Sequence, residues 1–303
     1  LKAHNILLFA PLTINGLTEE WEKDPMGMSG GFLSQSVVMP EMDGAIRTYA
    51  LFAQYEDEEG LRHSYAVPER LKTFVENINK SLKLAEMPNK DKKIAIVYYK
   101  GPGQNALTAA GMEVVPSLYQ LLVRLKEEGY NVGHLPADAE ALGRMIQEQG
   151  SVFNAYAEGT MDRFLQQGDV VRINKEAYES WVKKSLRPEK YEEVKATFGE
   201  FPGDYMVTSE GELGLARLQF GNVVLMPQYA AGKGDNTFQV VHGTHLPPPH
   251  AYIASYLWMQ YGFQADALIH FGTHGSLEFT PHKQVALCSN DWPDRLVGAL
   301  PHF

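Results

Sequence analysis

The run Ile94-Ala95-Ile96-Val97-Tyr98-Tyr99 is β-branched and aromatic, and the polar stretch Pro88-Asn89-Lys90-Asp91-Lys92-Lys93 precedes it as a linker candidate. A strand buried on both faces, as in a parallel sheet, has this pattern. Gly101-Pro102-Gly103 then predicts a tight loop, and Leu118, Leu121, Leu122 and Leu125 recur at helical spacing within residues 115–128. Gly129 stands where a helix C′ residue would, and Tyr130-Asn131-Val132 is expected to open the next strand. Strand, loop, helix and strand make a βαβ unit. The fold class is therefore α/β, with Rossmann-like parallel sheet units carrying helices on both faces.

Working outward, the apolar patches 6–9 and 37–39 predict two short strands joined by a long loop around residues 24–31. Leu71, Phe74, Val75, Ile78 and Leu82 predict a helix over 68–84, and a second is expected over 138–148. Residues 178–198 read as a charged, surface-lying helical stretch broken near Pro188. After about residue 205 the texture changes to strands and loops. Residues 220–227 read as a buried strand, 250–261 as an amphipathic helix rich in aromatics, and 265–271 as a buried strand running into Gly272-Thr273-His274-Gly275. Three portions are expected: an N-terminal α/β portion at 1–90, a Rossmann-like domain with a helical extension at 91–204, and a site-bearing α/β portion at 205–303.

Composition narrows the function. Among 303 residues, 27 Lys and Arg against 37 Asp and Glu give a net charge of −10, without the basic footprint of a general nucleic-acid binder. One cysteine, Cys288, excludes an internal disulfide framework and any Cys-rich zinc or iron–sulfur site. The apolar runs are too short to span a bilayer, and a cytoplasmic location is expected. The chain starts at Leu1 rather than Met and stops at Phe303 without a polar tail. Both ends look cut, which predicts an internal portion of a larger multidomain chain.

Two nucleotide-binding patterns fail. The loop at 101–106 lacks the third glycine of a dinucleotide fingerprint and a suitably placed acidic residue, so it reads better as a tight strand-to-helix turn. Gly232-Lys233-Gly234-Asp235 lacks the upstream glycine and the Ser/Thr of a P-loop.

The histidines are more informative, because seven of the ten fall after residue 241. His270, His274 and Glu278 are spaced i, i+4, i+8 across a strand end and a glycine-bounded turn. Ligands of open α/β sheets bind beyond the carboxyl ends of strands. Gly272 and Gly275 would let backbone approach a flat ligand closely. Imidazole with carboxylate suits a first-row divalent ion, or a proton acceptor and its relay. Against this, a histidine at a strand end is often a satisfied core residue, and a carboxylate opening a helix often a dipole contact. His242, His245 and His250, stiffened by Pro247-Pro248-Pro249, form either a ligand wall or a helix entry. Tyr252, Tyr256, Trp258 and Tyr261 read as core at helical spacing, whereas Trp292 beside Pro293, expected in a polar loop, is the better stacking candidate.

At this point the residues resemble a known family. The segment from Asp266 to Phe279, Ile269-His270-Phe271-Gly272-Thr273-His274-Gly275-Ser276-Leu277-Glu278 at its centre, is similar to the large subunit of class I metallochelatases. Lys283-Gln284-Val285-Ala286-Leu287, Trp292-Pro293-Asp294, Leu246-Pro247-Pro248-Pro249-His250, Gln219–Val223 and Val38–Ala45 extend the resemblance over essentially the whole chain. That family comprises cobaltochelatase large subunits and magnesium chelatase H subunits. The resemblance implies a tetrapyrrole (porphyrin, corrinoid or haem) as ligand and a divalent metal (Co, Mg or Fe) as substrate. ATP would be hydrolysed only by separate AAA+ partner subunits, with an adaptor. It implies Glu278 as proton acceptor and His274 as the group that holds the ion or relays the second proton. His270, His242 and His282 are further metal candidates; His245, His250, Lys283, Trp292, Gly272 and Gly275 are the expected tetrapyrrole contacts. One departure is Pro281-His282-Lys283, where the family usually has Pro-Gly-Lys. The extra imidazole keeps open a haem dechelatase that removes iron, and a non-catalytic tetrapyrrole carrier also remains.

Overall fold

The computed structural model describes residues 6–45, 47–99, 108–109, 111–149, 158–229, 246–273 and 277–303. The chain divides into two compact units, Leu1–Asn79 with Pro281–Ala299, and Lys80–Thr280 with Leu300–Phe303.

In the first unit β1 (Phe9–Leu17) runs parallel to β2 (Arg47–Glu56), which pairs antiparallel with β3 (Arg62–Ala66). Pro11 is tolerated because β1 is an edge strand. The helix Pro68–Glu86 follows, longer than the sequence pattern suggested. Leu12, Ile14, Trp21, Met28, Ala50, Ala53, Val67, Ala286 and Cys288 form the core of this unit. Residues 37–39 are not a strand. They lie in a helical run that passes from Gly30–Leu33 through a π-turn at Ser34–Val38 into Met39–Met42. The wider π-turn sits directly before Pro40, whose ring would clash with the preceding turn of a regular α-helix.

The second unit holds the parallel sheet. β4 (Ile94–Tyr98) is its centre and is buried at all five positions, as its unbroken apolar run requires. Two short antiparallel pairs lie outside this sheet: β5 (Thr108–Ala109) with β6 (Met112–Glu113), and β7 (Val170–Ile173) with β8 (Leu213–Ala216). The remaining strands are β9 (Leu218–Phe220), β10 (Val223–Pro227) and β11 (Ala267–Phe271), and the sheet order is β11-β4-β10-β9. β10 and β11 both run parallel to β4, whereas β9 turns back antiparallel on β10. The expected single strand at 220–227 is thus a hairpin turning at Gly221 and Asn222.

Alternation divides the sheet's faces. Ile94, Ile96, Tyr98, Val223 and Leu225 pack with Val114, Leu118 and Leu122 of the helix Val114–Glu127 and Leu142 and Ile146 of the helix Ala139–Gln149. His270 lies on the opposite face, where it touches Tyr256 of the helix His250–Leu257. Every residue of that helix is buried, so it is not amphipathic as expected, and it ends in a π-turn at Trp258–Gly262. Residues 130–132 form no strand. Asn131 instead accepts the Asn222 N–H at 2.8 Å, and a Cβ on Gly221 would stand 2.5 Å from Asn131 Oδ1. The segment is tied to the hairpin turn, not to a ladder. The charged stretch 178–198 is two helices, Lys175–Ser185 and Pro188–Phe198. Asn174 caps the first through the Ala177 N–H at 2.9 Å.

Candidate functional site

The parallel strands β4, β10 and β11 end together at Tyr98, Pro227 and Phe271, because the register pairs Tyr98 with both other residues. Tyr98 O accepts the Gln228 N–H at 2.9 Å, and Phe271 O accepts the Tyr99 N–H at the same distance. The chain then leaves β11 through Gly272, half-buried, and re-enters the described residues at the single 3₁₀ turn Leu277–Phe279. Leu277 is buried and anchors that turn, with its carbonyl accepting the Thr280 hydroxyl at 2.6 Å. Glu278 sits on this turn, half-buried. His274 and Gly275, like His242 and His245, lie outside the described residues.

His270 is held from both sides. Its Nε2 lies 2.9 Å from the Tyr256 hydroxyl and its Nδ1 lies 2.7 Å from Nε2 of His302. The Tyr256 hydroxyl also reaches Gln228 Oε1 at 3.5 Å. A donor series His302 Nε2–H, His270 Nε2–H, Tyr256 O–H therefore satisfies every acceptor through to Gln228. Burial, and then the neighbouring His302, push the His270 pKa down to about 3, so the ring is neutral. Tyr256 and Gln228 were not among the expected site residues, and His302 entered only as one of the clustered histidines. Helical spacing marked Tyr256 as core; its hydroxyl gives no signal in sequence that it will meet His270.

His250 is buried and faces inward. Its Nε2–H donates to Gly199 O at 3.0 Å, which leaves Nδ1 to accept from the Tyr178 hydroxyl at 3.0 Å. Burial lowers its pKa, chiefly by penalising the charged form. Both ring nitrogens are committed to these two contacts.

The remaining expected contacts belong to the first unit. Lys283 is 2% exposed and its ammonium donates to Glu22 O at 3.1 Å and to Cys288 Sγ at 3.4 Å, with Asp291 Oδ2 at 3.7 Å. Asp291, fully buried, also accepts the Cys288 N–H at 2.7 Å and the Lys283 N–H at 3.2 Å. Burial, reinforced by Asp291, pushes the Cys288 thiol up to about 11. Trp292 is not in a polar loop. It opens the helix Trp292–Val297, 1% exposed, with Pro293 in the first turn where a missing N–H costs nothing. Asp294 in the same helix pairs with the buried Arg70 guanidinium and accepts Arg295 Nε–H at 2.9 Å. His282 is exposed and carries φ +83°, left-handed backbone that glycine adopts freely and histidine does not. That conformation explains why a glycine suits this position.

Among the described residues no group of three or more His, Cys, Asp or Glu side chains could hold a metal ion, and no helix is long and apolar enough to cross a membrane.

Comparison with known proteins fixes the family. The CobN/magnesium chelatase family model matches residues 1–303. The chain is 31% identical to the H subunit of magnesium chelatase from Chlorobaculum parvum over 94% of its length and 21% of that protein. It is 30% identical to aerobic cobaltochelatase subunit CobN of Pseudomonas aeruginosa over 93% of its length and 23% of that protein. Among solved structures, the catalytic subunit of cobaltochelatase from Mycobacterium tuberculosis superposes with a TM-score of 0.82 at 28% identity, covering 99% of this chain and 25% of that one. The chain thus spans about a quarter of the length of the relatives it matches. With a parallel sheet whose strand ends lead into the Gly272 and Glu278 segment, and with the family match running from the first residue to the last, the chain belongs to the CobN/magnesium chelatase family.

Proposed function

We propose that this chain is the tetrapyrrole-handling portion of a chelatase large subunit, inserting Co or Mg into a corrinoid or porphyrin ring. The observation that carries the reading is that Gly272 and the turn bearing Glu278 follow the carboxyl end of β11 in the chain, within a whole-chain family match.

Metallation removes two pyrrole N–H protons while the ion sheds its own ligands. Glu278, on a turn anchored by buried Leu277, is assigned as the acceptor of a ring proton. His274 is assigned to hold the incoming ion or to relay the second proton, and Gly272 and Gly275 to let backbone approach the flat ring. His245 and His242 are assigned to the ligand wall. His250 is buried and held by Gly199 and Tyr178, so its part is structural. Lys283 and Trp292 are buried within the first unit, and their part is to hold that unit's fold. ATP hydrolysis is assigned to separate AAA+ subunits with an adaptor, as the family resemblance implies.

One observation favours a second reading. His282 holds an uncommon left-handed backbone with its ring exposed, as strained positions kept for function do, and its imidazole would suit haem iron as a ligand. The same groups would then deliver protons to the ring as iron leaves.

The test uses the full-length protein with its ATPase partners and free-base porphyrin, followed by absorbance. Glu278→Gln is expected to slow metallation by about 100-fold while the porphyrin binding shift persists. Unchanged metallation in both Glu278→Gln and His274→Ala would overturn the assignment. Iron loss from added haem, with no insertion of Co²⁺ or Mg²⁺, would select the second reading.

A further inference from the structure

The His270 and His302 rings meet edge to face, with planes at 88° and centroids 4.7 Å apart. Their facing nitrogens are 2.7 Å apart. Two nitrogen lone pairs do not face each other at that distance without a positive centre between them. In the structure this is the proton of a hydrogen bond; a cation can take its place.

We propose that His270 and His302 form a two-imidazole clamp for a divalent first-row ion, Co²⁺ in preference to Mg²⁺, and that the clamp is a loading point for the metal substrate. The loading role rests on the chelatase reading above; the clamp itself does not.

Three features carry it. Both imidazoles stand on fixed backbone, because residues 301–303 run alongside β11 in parallel. Leu268 N–H donates to Pro301 O at 2.8 Å, Phe303 N–H to Leu268 O at 2.9 Å, and His270 N–H to Phe303 O at 2.9 Å. The far nitrogen of His270 already has the oxygen partner that orients a metal-bound imidazole: Nε2–H donates to Tyr256, whose own proton has Gln228 Oε1 to go to. Third, the two nitrogens are already close. Two bonds of about 2.1 Å at about 90–109° need them about 3.0–3.4 Å apart, a few tenths of an ångström beyond their present separation, with each ring tilting by about 35–45° so that both lone pairs converge on the ion.

Protons balance without an added reactant. Each neutral imidazole carries one proton, and in the metal-bound pair both protons sit on the far nitrogens, so the shared proton shifts by tautomerisation and none is lost. Imidazole selects Co²⁺, Ni²⁺ or Zn²⁺ over Mg²⁺, which prefers oxygen ligands. Two protein ligands completed by water hold the ion loosely enough to pass it on. His302 is exposed, so an ion from solvent reaches it directly.

The first experiment needs no variant. The full-length protein is treated with diethyl pyrocarbonate, with and without Co²⁺ or Mg²⁺, and carbethoxylation of His302 is quantified by peptide mass spectrometry. Co²⁺ is expected to slow modification of His302 at least tenfold and Mg²⁺ to leave it unchanged. Equal reactivity with and without Co²⁺ overturns the clamp, and equal protection by Mg²⁺ overturns the preference. Tyr256→Phe, which removes the oxygen orienting His270, is expected to weaken that protection by about tenfold in Co²⁺ concentration. In the metallation assay, His302→Gln is expected to raise the KM for Co²⁺ about tenfold with tetrapyrrole affinity unchanged. An unchanged KM overturns the loading role. Protection by Co²⁺ in a protein that metallates no tetrapyrrole would instead sink the chelatase reading and leave the clamp standing.

Discussion

The ammonium of Lys283 donates to the backbone carbonyl of Glu22, 261 residues away in sequence, at 3.1 Å. This contact ties the end of the Thr18–Lys23 helix to the segment after Pro281, and Trp21 Nε1–H strengthens it by donating to Ala286 O at 2.8 Å. Lys283→Met keeps the apolar stem but leaves the fully buried Asp291 carboxylate with backbone N–H donors alone. Stability is expected to fall by about 3 kcal/mol, as when one partner of a buried ion pair is removed. Adding Asp291→Asn to Lys283→Met should restore part of the loss. Urea denaturation followed by tryptophan fluorescence measures both, and simple additivity of the two changes would show that the pair is not coupled.

Gly27 lies against the same segment. At φ +72° a Cβ would stand 2.1 Å from Val285 O and 3.1 Å from the Lys283 stem. The obstacle is backbone, which cannot rotate away. Gly27→Ala is expected to cost at least about 2 kcal/mol, combining left-handed strain with overpacking. A variant melting within a degree of wild type would mean that the loop relaxes freely.

These contacts show what the sequence could carry. β4 was legible because burial on both faces demands an unbroken apolar run, and the helices at 114–127 and 139–149 because one buried stripe imposes a 3.6-residue period. The helix at 68–86 was legible from the same spacing, although Leu71, Val75 and Leu82 are exposed. The three apolar residues at 37–39 were too few to distinguish a strand from the π-turn before Pro40. Among site residues, the motif placed Glu278 and Gly272 beyond β11, since that position follows from chain order. It could not show that His250 is spent on Tyr178, 72 residues away, or His270 on Tyr256 and His302. Long-range partners leave no local periodicity.

His282 offers a test of strain against function. Its φ of +83° costs a histidine about 1–2 kcal/mol relative to right-handed backbone. His282→Gly removes that cost, less the entropy that glycine loses on folding, and is expected to stabilise the protein by about 1 kcal/mol. Thermal melting reads the gain. Metallation measured on the same variant decides what the imidazole does: unchanged rates assign it no ligand role, whereas loss of haem iron removal supports one.

His270 predicts the pH dependence of stability. Its folded pKa is held down to about 3 against an ordinary 6.5, first by burial and then by His302. Between those values the unfolded chain binds a proton that the folded ring refuses, so stability rises with pH through the window. The contribution is present in full above pH 6.5 and is lost progressively as pH falls toward 3. From pH 6.5 to 5 the loss is about 2 kcal/mol, at 1.36 kcal/mol per unit. His270→Asn, which cannot take up the proton, is expected to be less stable at pH 7 yet to lose this slope. Urea midpoints at pH 7, 6 and 5 for the two proteins make the comparison. Parallel slopes would show that His270 is not held neutral by its surroundings, and that the acid sensitivity of this unit arises elsewhere.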